Sequence, residues 1–425
     1  MKWNERLWKQ SLRQYQQFMA PLVSVLGRSE RRVSATRYVE GLLTPGERKS
    51  IEPLAARLGV DKQSLQQFVT DSPWSDKTVW SSVRREVIPH LEPIEAWIVD
   101  ETGWLKQGSH SVGVSHQYCG AVGKQANCQV SVQVAVSDGW VAAPIAGQLY
   151  LPSSWSEDPE RCAEAGVPDA IEFWTKPQLA GRLIGEALSD GIAPAPVLGD
   201  AVYGDNAEFR AQLRRLGMEF FLQVDASKHK GWDHRVQTEI KRVRRHVQAG
   251  QPVARTLAQI VSSWSQAVWK PCSWVAAGGQ TRKTRLAWGE VFLQQGLQRP
   301  EGQLEALWLV VDWPAGDSEP YHYYLAHLHR PPTKARCLKL SRSRWHVEQY
   351  FQRSKTDLGL DHFEGRSWQG FHHHLVLSAI AYLFILSVHL RSKKNFWCDV
   401  GTDSPPDPAL AGESERLLRL LSQQV

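Results

Sequence analysis

Three side chains in one segment could hold a phosphate group beside a metal ion. Arg344, Glu348 and Lys355 lie in residues 333–358, a stretch without Gly or Pro that predicts a helix. At 100° per residue, they fall within about 40° of one another on one helix face. A carboxylate between two cations is an unusual choice for a core stripe. The commoner origin of such a pattern is a solvated helix face with i,i+4 ion pairs, and that alternative stays open here.

Two further acids, each at the end of a short apolar segment, favour a metal site. Residues 96–100 and 195–200 are typical of short strands, and they end in Asp100 and Asp200. An unpaired carboxylate at a buried strand end costs several kcal/mol, so it needs a partner. Mg²⁺ prefers carboxylate oxygens and retains waters and substrate phosphates. We therefore predict that the fold brings Asp100, Asp200 and Glu348 together.

Neighbouring acids leave the ligand assignment open at this point. Glu101 could replace Asp100 as the ligand, and Asp205 could either be a ligand or cap the helix that follows it. Three more acids compete with Glu348 for the third position: Asp357, Asp361 and Glu364. Two metal ions about 3.5–4 Å apart can activate a water and stabilise the leaving oxygen during displacement at phosphorus. Such chemistry needs two or three acids from different parts of a fold.

The composition allows a large core and a polyanionic partner. The chain has 425 residues, which suggests two or three domains, and 42% of them are apolar. The net charge of +6 and the pI near 8.9 are mild, so they permit a polyanion without requiring one. The 19 Trp side chains can stack on bases as well as fill cores.

The same sequence indicates a cytoplasmic protein with no membrane segment. The Cys residues are scattered without zinc spacing, which indicates reduced thiols. Residues 1–6 contain no apolar run, so we expect no signal peptide. Residues 375–390 are the most apolar segment, but their length favours a buried helix over a membrane span. No phosphate-binding loop or dinucleotide fingerprint is found, so no nucleotide cofactor is expected, and the lack of G-x-S-x-G weakens a serine hydrolase reading.

The pattern along the chain predicts a mixed α/β sheet preceded by a helical domain. Residues 1–90 are predicted to be helical, and residues 54–69 resemble a helix-turn-helix, although an ordinary helical hairpin is an equal alternative. In that segment Gln63, Ser64 and Gln66 could face DNA. Residues 94–225 predict the order β-β-β-α-β-α-β, residues 226–332 predict short strands, residues 333–392 return to helices, and residues 393–425 form a tail.

Three blocks of the chain resemble the catalytic blocks of DDE transposases. The first starts at Asp100 with Asp-Glu-Thr-Gly-Trp-Leu-Lys-Gln-Gly, and the second is Gly-Asp-Ala-Val-Tyr-Gly-Asp at residues 199–205. The third, Arg344-x-x-x-Glu348 followed six residues later by Lys355, is similar to the Tyr-Arg-Glu-Lys signature of the insertion-sequence-four superfamily. The chain resembles the branch named for insertion sequence seven-oh-one, and the blocks follow the right order.

The resemblance implies an RNase H-like mixed sheet flanked by helices, with a β-rich insertion before the last catalytic helix. It implies that Asp100, Asp200 and Glu348 are catalytic metal ligands for two Mg²⁺ ions, which Mn²⁺ can replace. Two positions depart from the family: Ser341 stands where the signature has Tyr, and Glu101 stands where relatives often carry Asp. The predicted DNA contacts outside the helix-turn-helix are Arg344, Lys355, Lys106, Tyr203, Lys241, Arg242, Arg244 and Arg245.

The resulting hypothesis is a DNA transposase that hydrolyses phosphodiester bonds at the ends of an insertion sequence. The freed 3′-hydroxyl would then attack target DNA. Its partners would be double-stranded DNA, namely terminal inverted repeats and target, and it would act as a homodimer on DNA in the nucleoid. The alternatives are a stand-alone metal-dependent endonuclease and a catalytically silent, transposase-derived DNA-binding protein.

Overall fold

The N-terminal part of the structure, a computed structural model, is built of helices joined by short loops. The structure describes residues 5–91, 93–234, 254–275, 280–294 and 306–397. Helix α3 stops at Gly59, whose φ of 61° favours glycine, and the Asp61 side chain caps α4 by accepting from the Ser64 amide. The helices before the first strand are α1 Glu5–Ser24, α2 Ser29–Leu43, α3 Ile51–Leu58, α4 Lys62–Thr70 and α5 Asp76–Glu86.

The described residues of the rest of the chain form a mixed sheet of 12 strands. The first six are β1 Ala96–Leu105, β2 Ser115–Cys119, β3 Lys124–Ser137, β4 Ala142–Leu149, β5 Val197–Gly199 and β6 Phe220–Val224. The other six are β7 Lys230–Asp233, β8 Arg255–Thr256, β9 Lys270–Val275, β10 Thr281–Leu293, β11 Ala306–Pro314 and β12 His322–His327. The main strand order is β2-β3-β1-β5-β6-β12-β11-β10-β7-β8, with β4 on β3 and β9 on β10.

The pairing directions combine an antiparallel meander with parallel crossovers. Strand β1 is antiparallel to β3 and parallel to β5, and β5 is parallel to β6. Asp138 and Gly139 lie in the tight turn that joins β3 to β4, with Gly139 at a φ of 92°. Strand β2 starts only at Ser115, since Gly113 turns the chain at a φ of 70° just before it. The mixed α/β class predicted from the sequence is confirmed.

Strands from the predicted β-rich segment extend this same sheet. Strand β12 pairs with β6 in antiparallel register, and β11 and β10 follow beyond it. Residues 235–253, which include the predicted basic contacts Lys241, Arg242, Arg244 and Arg245, lie outside the described residues.

Helices cover the sheet. Those after β4 are α6 Ser153–Ser156, α7 Pro159–Glu164, α8 Lys176–Ser189, α9 Ala201–Gly204 and α10 Ala207–Arg215. Later in the chain are α11 Leu257–Ser262, α12 Lys334–Ser343, α13 Trp345–Thr356 and α14 Trp368–Trp397.

The prediction of one continuous helix over residues 333–358 is wrong. The helix breaks at Arg344 into α12 and α13. Near the break, the Ser341 hydroxyl donates to Leu338 O and the Ser343 hydroxyl donates to Lys339 O, so side chains compete for helix carbonyls. The Val347 amide then bonds the carbonyl three residues back, at Arg344, which marks a tightened turn.

Helix α14 holds the helical N-terminal part against the sheet. Its segment Trp368–Leu390 is long and apolar enough to cross a membrane, but 72% of its most apolar window is buried inside the structure. This agrees with the predicted buried helix. Its three consecutive histidines point to different neighbours: His372 accepts from the Leu149 amide of β4, His373 bonds Val69 O, and His374 bonds Tyr38 of α2.

Candidate active site

Asp100 lies in the middle of the sheet, on β1, which pairs with β3 on one side and with β5 on the other. Strand β1 is buried along most of its length, and Asp100 is 9% exposed. Its Oδ1 accepts from the Glu101 amide at 2.8 Å. An acid in such a place needs a cation, because burial penalises the charged carboxylate.

Asp200 follows β5 directly, at the same edge of the sheet as Asp100. Strands β1 and β5 are parallel with Ile98 opposite Leu198, so two further residues in that register place Asp100 opposite Asp200. Asp200 is the N-cap of α9, and its Oδ1 accepts from the Val202 amide at 2.9 Å. The predicted convergence of two strand-end acids therefore follows from parallel pairing.

Arg344 joins the third acid to the first. Its Nη1 lies 3.1 Å from Asp100 Oδ2, and its Nη2 lies 2.7 Å from Glu348 Oε1. The break between α12 and α13 puts Arg344 at the start of the Glu348 helix, four residues before the acid. The guanidinium thus bridges acids that come from a central strand and from a late helix.

The acids interact electrostatically as one group. Burial raises the pKa of Asp100 to about 7, and the nearby charge of Asp200 adds to the rise, while Arg344 opposes it. The pKa of Asp200 is also raised, first by burial and then by Glu101. The pKa of Arg344 is raised despite its burial, because Asp100, Glu348 and Asp200 all favour its charge. One partly buried cation therefore interacts electrostatically with all three predicted acids.

The carboxylates of Asp100, Asp200 and Glu348 are suitable ligands for a hard divalent cation. In this structure, however, the Arg344 guanidinium lies against the oxygens of Asp100 and Glu348. Within the described ranges, no group of three or more His, Cys, Asp or Glu side chains is arranged to hold a metal ion. Carboxylate oxygens at two strand ends and on a facing helix are the ligands that Mg²⁺ takes. The residues fit such an ion on condition that Arg344 moves away from Asp100 and Glu348.

Glu101 is held by a contact that the sequence did not reveal. Lys176, the first residue of α8, lies 2.7 Å from Glu101 Oε1, and the Tyr203 hydroxyl donates to Glu101 Oε2 at 2.8 Å. Tyr203, predicted to contact DNA, is fully buried and sits on the short helix capped by Asp200. Lys176 and Glu101 meet because of the way α8 packs on the sheet, and no spacing in the sequence links the two residues.

The two lysines predicted to grip DNA are partly buried and bound to carbonyls. Lys355 Nζ donates to Gly103 O at 2.8 Å, and burial lowers the pKa of its ammonium. Lys106 Nζ donates to Phe363 O, and burial lowers its pKa to about 8. Lys355 thus connects α13 to β1, and Lys106 connects the end of β1 to the segment after α13. Neither reaches the three acids in this structure.

Most of the acids that compete for the site are bound elsewhere. Asp205 accepts from His229 at 2.9 Å and from Lys228 at 3.1 Å, and Asn206 rather than Asp205 caps α10. Glu364 pairs with Arg48, Asp361 lies 3.9 Å from His362, and Asp357 ends α13. Glu348, by contrast, pairs with the Arg344 guanidinium that also contacts Asp100.

The predicted helix-turn-helix surface is accessible. Gln63, Ser64 and Gln66 are exposed on α4, while Leu65 and Phe68 of the same helix are buried. A helix with a polar exposed face and a packed inner face can present side chains to a groove.

The fold and the acid site define the class of protein. Residues 21–299 match the family model described as DDE superfamily endonuclease, which covers more than half of the chain. The chain therefore belongs to this family, as the sequence motifs predicted. The matched residues include Asp100 and Asp200, whereas Glu348 lies beyond them.

A curated relative extends the comparison. The chain is 31% identical over 200 residues to a "Probable transposase for insertion sequence element IS701" from Microchaete diplosiphon. The alignment covers 46% of this chain and 49% of that relative, so the chain spans about half the length of the curated relative it matches.

Proposed function

We propose that this chain is a DNA transposase that uses divalent metal ions to cut DNA and to join the cut ends to a target. The observation that carries the proposal is the Arg344 guanidinium, which contacts both Asp100 and Glu348 and whose charge is also favoured by Asp200. Family membership and similarity to a probable transposase support the same reading.

Asp100, Asp200 and Glu348 would hold the metal ions, Mg²⁺ or Mn²⁺. When bound, such ions activate a water or hydroxyl and stabilise the leaving oxygen in displacement at phosphorus. The burial that raises the pKa of Asp100 also makes a cation a favourable partner for this carboxyl, so proton and metal would compete for it. Glu101 is not needed as a ligand, because Lys176 and Tyr203 already satisfy it.

Arg344 would exchange its carboxylate partners for a DNA phosphate. A guanidinium binds a phosphate in the same two-pronged manner as it binds a carboxylate. Arg344 would thereby fix the scissile strand next to the acids, and Lys355 would support the β1 side of the same helix. The exposed Gln63, Ser64 and Gln66 would contact the terminal repeats.

The chemistry proposed is two direct displacements at phosphorus. In the first, a water molecule loses a proton as its oxygen bonds to phosphorus, and the 3′ oxygen leaves and takes up a proton. In the second, the freed 3′-hydroxyl loses its proton and attacks a target phosphorus, from which the target's 3′ oxygen departs and takes up a proton. Because each step is direct, no covalent bond to the enzyme is required.

The assembly proposed is a homodimer on DNA, since two element ends must be processed together. We further propose a helical DNA-binding domain at residues 1–90 and a catalytic core at residues 94–225 and 333–392. Residues 226–332 would be an insertion, and residues 393–425 a tail. The site of action would be the bacterial nucleoid.

The test is a cleavage and joining assay on DNA that carries the sequences flanking the gene. We expect cuts at defined ends in Mg²⁺, and joining of a pre-cleaved end with a 3′-hydroxyl to plasmid DNA. Asp100→Asn, Asp200→Asn and Glu348→Gln should abolish both reactions while DNA binding persists. Asp205→Asn and Glu364→Gln serve as carboxylate controls and should retain them.

Two outcomes would support the alternatives instead. Cleavage without joining of the pre-cleaved end would indicate a stand-alone endonuclease. Sequence-specific DNA binding without cleavage in Mg²⁺ or Mn²⁺ would indicate a silent, transposase-derived DNA-binding protein.

A further inference from the structure

Helix α12 ends on an ion pair whose acid is fully buried. Arg342, in the last turn of the helix, has its Nη2 atom 2.6 Å from Asp312 Oδ2. Asp312 lies on β11, and its Oδ1 accepts from the Thr284 hydroxyl of β10. The Arg342 guanidinium also lies 3.8 Å from the centre of the Trp274 ring of β9. The carboxylate and the indole together fix the position and the orientation of this guanidinium.

The strand register places Asp312 on the same face of the sheet as the acid site. Side chains directly opposite one another on paired strands point to one face, as do residues two apart on one strand. Asp312 is opposite His322 of β12, and Tyr324, two residues further, is opposite Gln223 of β6. The parallel pairing of β6 with β5 continues that register toward Asp200. The ion pair and the acids therefore share the face that α12 and α13 cover.

Two side chains of β12 interact with both arginines at the break between α12 and α13. Burial raises the pKa of Tyr324, and the charge of Asp312 adds to the rise. Arg342 and Arg344 both act against that rise. Burial lowers the pKa of His322, on which the same three charged groups also act. Because Coulomb interactions weaken with distance, the Asp312–Arg342 pair and Arg344 lie in one neighbourhood.

We propose that Asp312 is a positioning residue for the acid site. It holds Arg342, and Arg344 follows only two residues later, at the start of α13. A fixed Arg342 limits where the Arg344 guanidinium can lie, and with it the Glu348 helix against Asp100. For its effect on DNA cleavage, this role rests on the proposed function. It gives residues 226–332, the predicted β-rich insertion, a part in the geometry of the acid site.

The other end of α12 supplies a matched control pair. Arg336 has its Nη2 atom 2.7 Å from Glu219 Oε2, and the Glu219 side chain is 12% exposed. At 1.5 Å per residue, Arg336 lies about 12 Å from Arg344 along the helix, whereas Arg342 lies about 3 Å away. The two pairs thus join one helix to the sheet at different distances from the acid site. The control variant is Glu219→Leu with Arg336→Met.

The first experiment needs neither DNA nor metal. The apolar variant, Thr284→Val with Asp312→Leu and Arg342→Met, replaces the ion pair by side chains of similar volume, an exchange that is often neutral for stability. Arg344→Gln is then added to the parent, to the apolar variant and to the control variant. The shift of the urea midpoint caused by Arg344→Gln should fall to about half or less in the apolar variant. It should stay unchanged in the control variant.

An unreduced shift in the apolar variant would overturn the positioning role, because Arg344 would then keep its contacts without the pair. An equal reduction in both variants would overturn it as well, because any tie between α12 and the sheet would then have the same effect.

The second experiment measures DNA cleavage by the same proteins. In the apolar variant, kcat should fall by about 10- to 100-fold, with a smaller change in KM, because a misplacement of about 1 Å can cost about 100-fold. The control variant should keep both constants. A merely structural role predicts that kcat returns once the urea midpoint is restored, and a full kcat in the apolar variant would overturn the proposal.

Arg342→Lys is a milder variant that tests the same role if the apolar variant does not fold. Its ammonium keeps the charge opposite Asp312, but it is a point charge without the planar fork that stacks on Trp274. We expect kcat to fall by about 3- to 10-fold. A full kcat in Arg342→Lys, together with an unreduced Arg344→Gln shift, would overturn the proposal.

The outcomes separate this proposal from the proposed function. If the parent cuts no DNA, the proposed function fails, while the urea midpoints still decide whether Asp312 positions Arg344. If the parent cuts DNA, a full kcat or an unreduced Arg344→Gln shift in the apolar variant overturns only the positioning role.

Discussion

Arg344 Nη1 lies 3.1 Å from Asp100 Oδ2, so the residue that starts the Glu348 helix is paired with the central strand of the sheet. The Arg344 side chain is 27% exposed and that of Asp100 is 12% exposed. Solvent therefore screens the pair only in part, and it contributes more than a surface pair does. The same guanidinium also neutralises Glu348 at 2.7 Å. The helix is thus positioned by the charges that the proposed chemistry uses.

The first prediction is an energetic coupling between these two residues. Arg344→Gln should destabilise the protein, and the loss should be smaller in an Asp100→Asn background, with a coupling of about 1–3 kcal/mol. Urea unfolding of the four proteins of the cycle measures it. The i,i+3 pair Arg37–Glu40 is the control, and should couple by under about 0.5 kcal/mol. Equal coupling in both cycles would show that the pair at the acid site is only a surface contact.

The second prediction concerns the contact between Tyr203 and Glu101. Tyr203→Phe removes a hydrogen bond to a charged group, which should cost about 1.5–3 kcal/mol. Because Tyr203 shares its short helix with Asp200, DNA cleavage should slow through kcat rather than through DNA affinity. Tyr321→Phe is the matched control, since Tyr321 is 71% exposed. Full stability and kcat in Tyr203→Phe would show that this contact does not position the helix.

The sequence predicts the outline of the site but not its connections. Short apolar segments that end in Asp100 and Asp200 indicate strand ends, and parallel pairing then places the acids side by side. Helix propensity does not predict the break at Arg344, near which two serine hydroxyls bond helix carbonyls. Lys176 was missed for a similar reason. Its contact with Glu101 depends on how α8 lies over the sheet, which no local pattern encodes.

The third prediction tests metal binding without DNA. Mn²⁺ should raise the melting temperature, and a concentration of 100 times Kd should stabilise the protein by about 2.7 kcal/mol. Asp100→Asn and Asp200→Asn should lose this shift, whereas Asp205→Asn should keep it, because Asp205 is bound to His229 and Lys228. Calorimetry with and without Mn²⁺ measures the effect. A shift of the same size in all four proteins would place the ion elsewhere.

The fourth prediction is a loss of stability in acid, centred on α14. Burial lowers the pKa of His373 and of His374 to about 4, below the ordinary value of 6.5. As the pH falls, the unfolded chain binds protons before the folded chain does, so stability is full above about pH 6.5 and declines toward pH 4. At pH 5 each of the two histidines should cost about 2 kcal/mol.

Urea midpoints at pH 7 and pH 5 measure this decline. His374→Gln keeps a polar partner for Tyr38 or for Leu360 O and cannot titrate, so it should reduce the loss between the two pH values by about 2 kcal/mol. His116→Gln is the matched control for the substitution itself, because His116 is exposed on β2. An unchanged pH dependence in His374→Gln would show that this imidazole does not stay neutral in the fold. Tyr38 belongs to α2 and His374 to α14. A smaller loss of stability at pH 5 in His374→Gln would therefore also indicate that acid weakens the contact between the helical N-terminal part and α14.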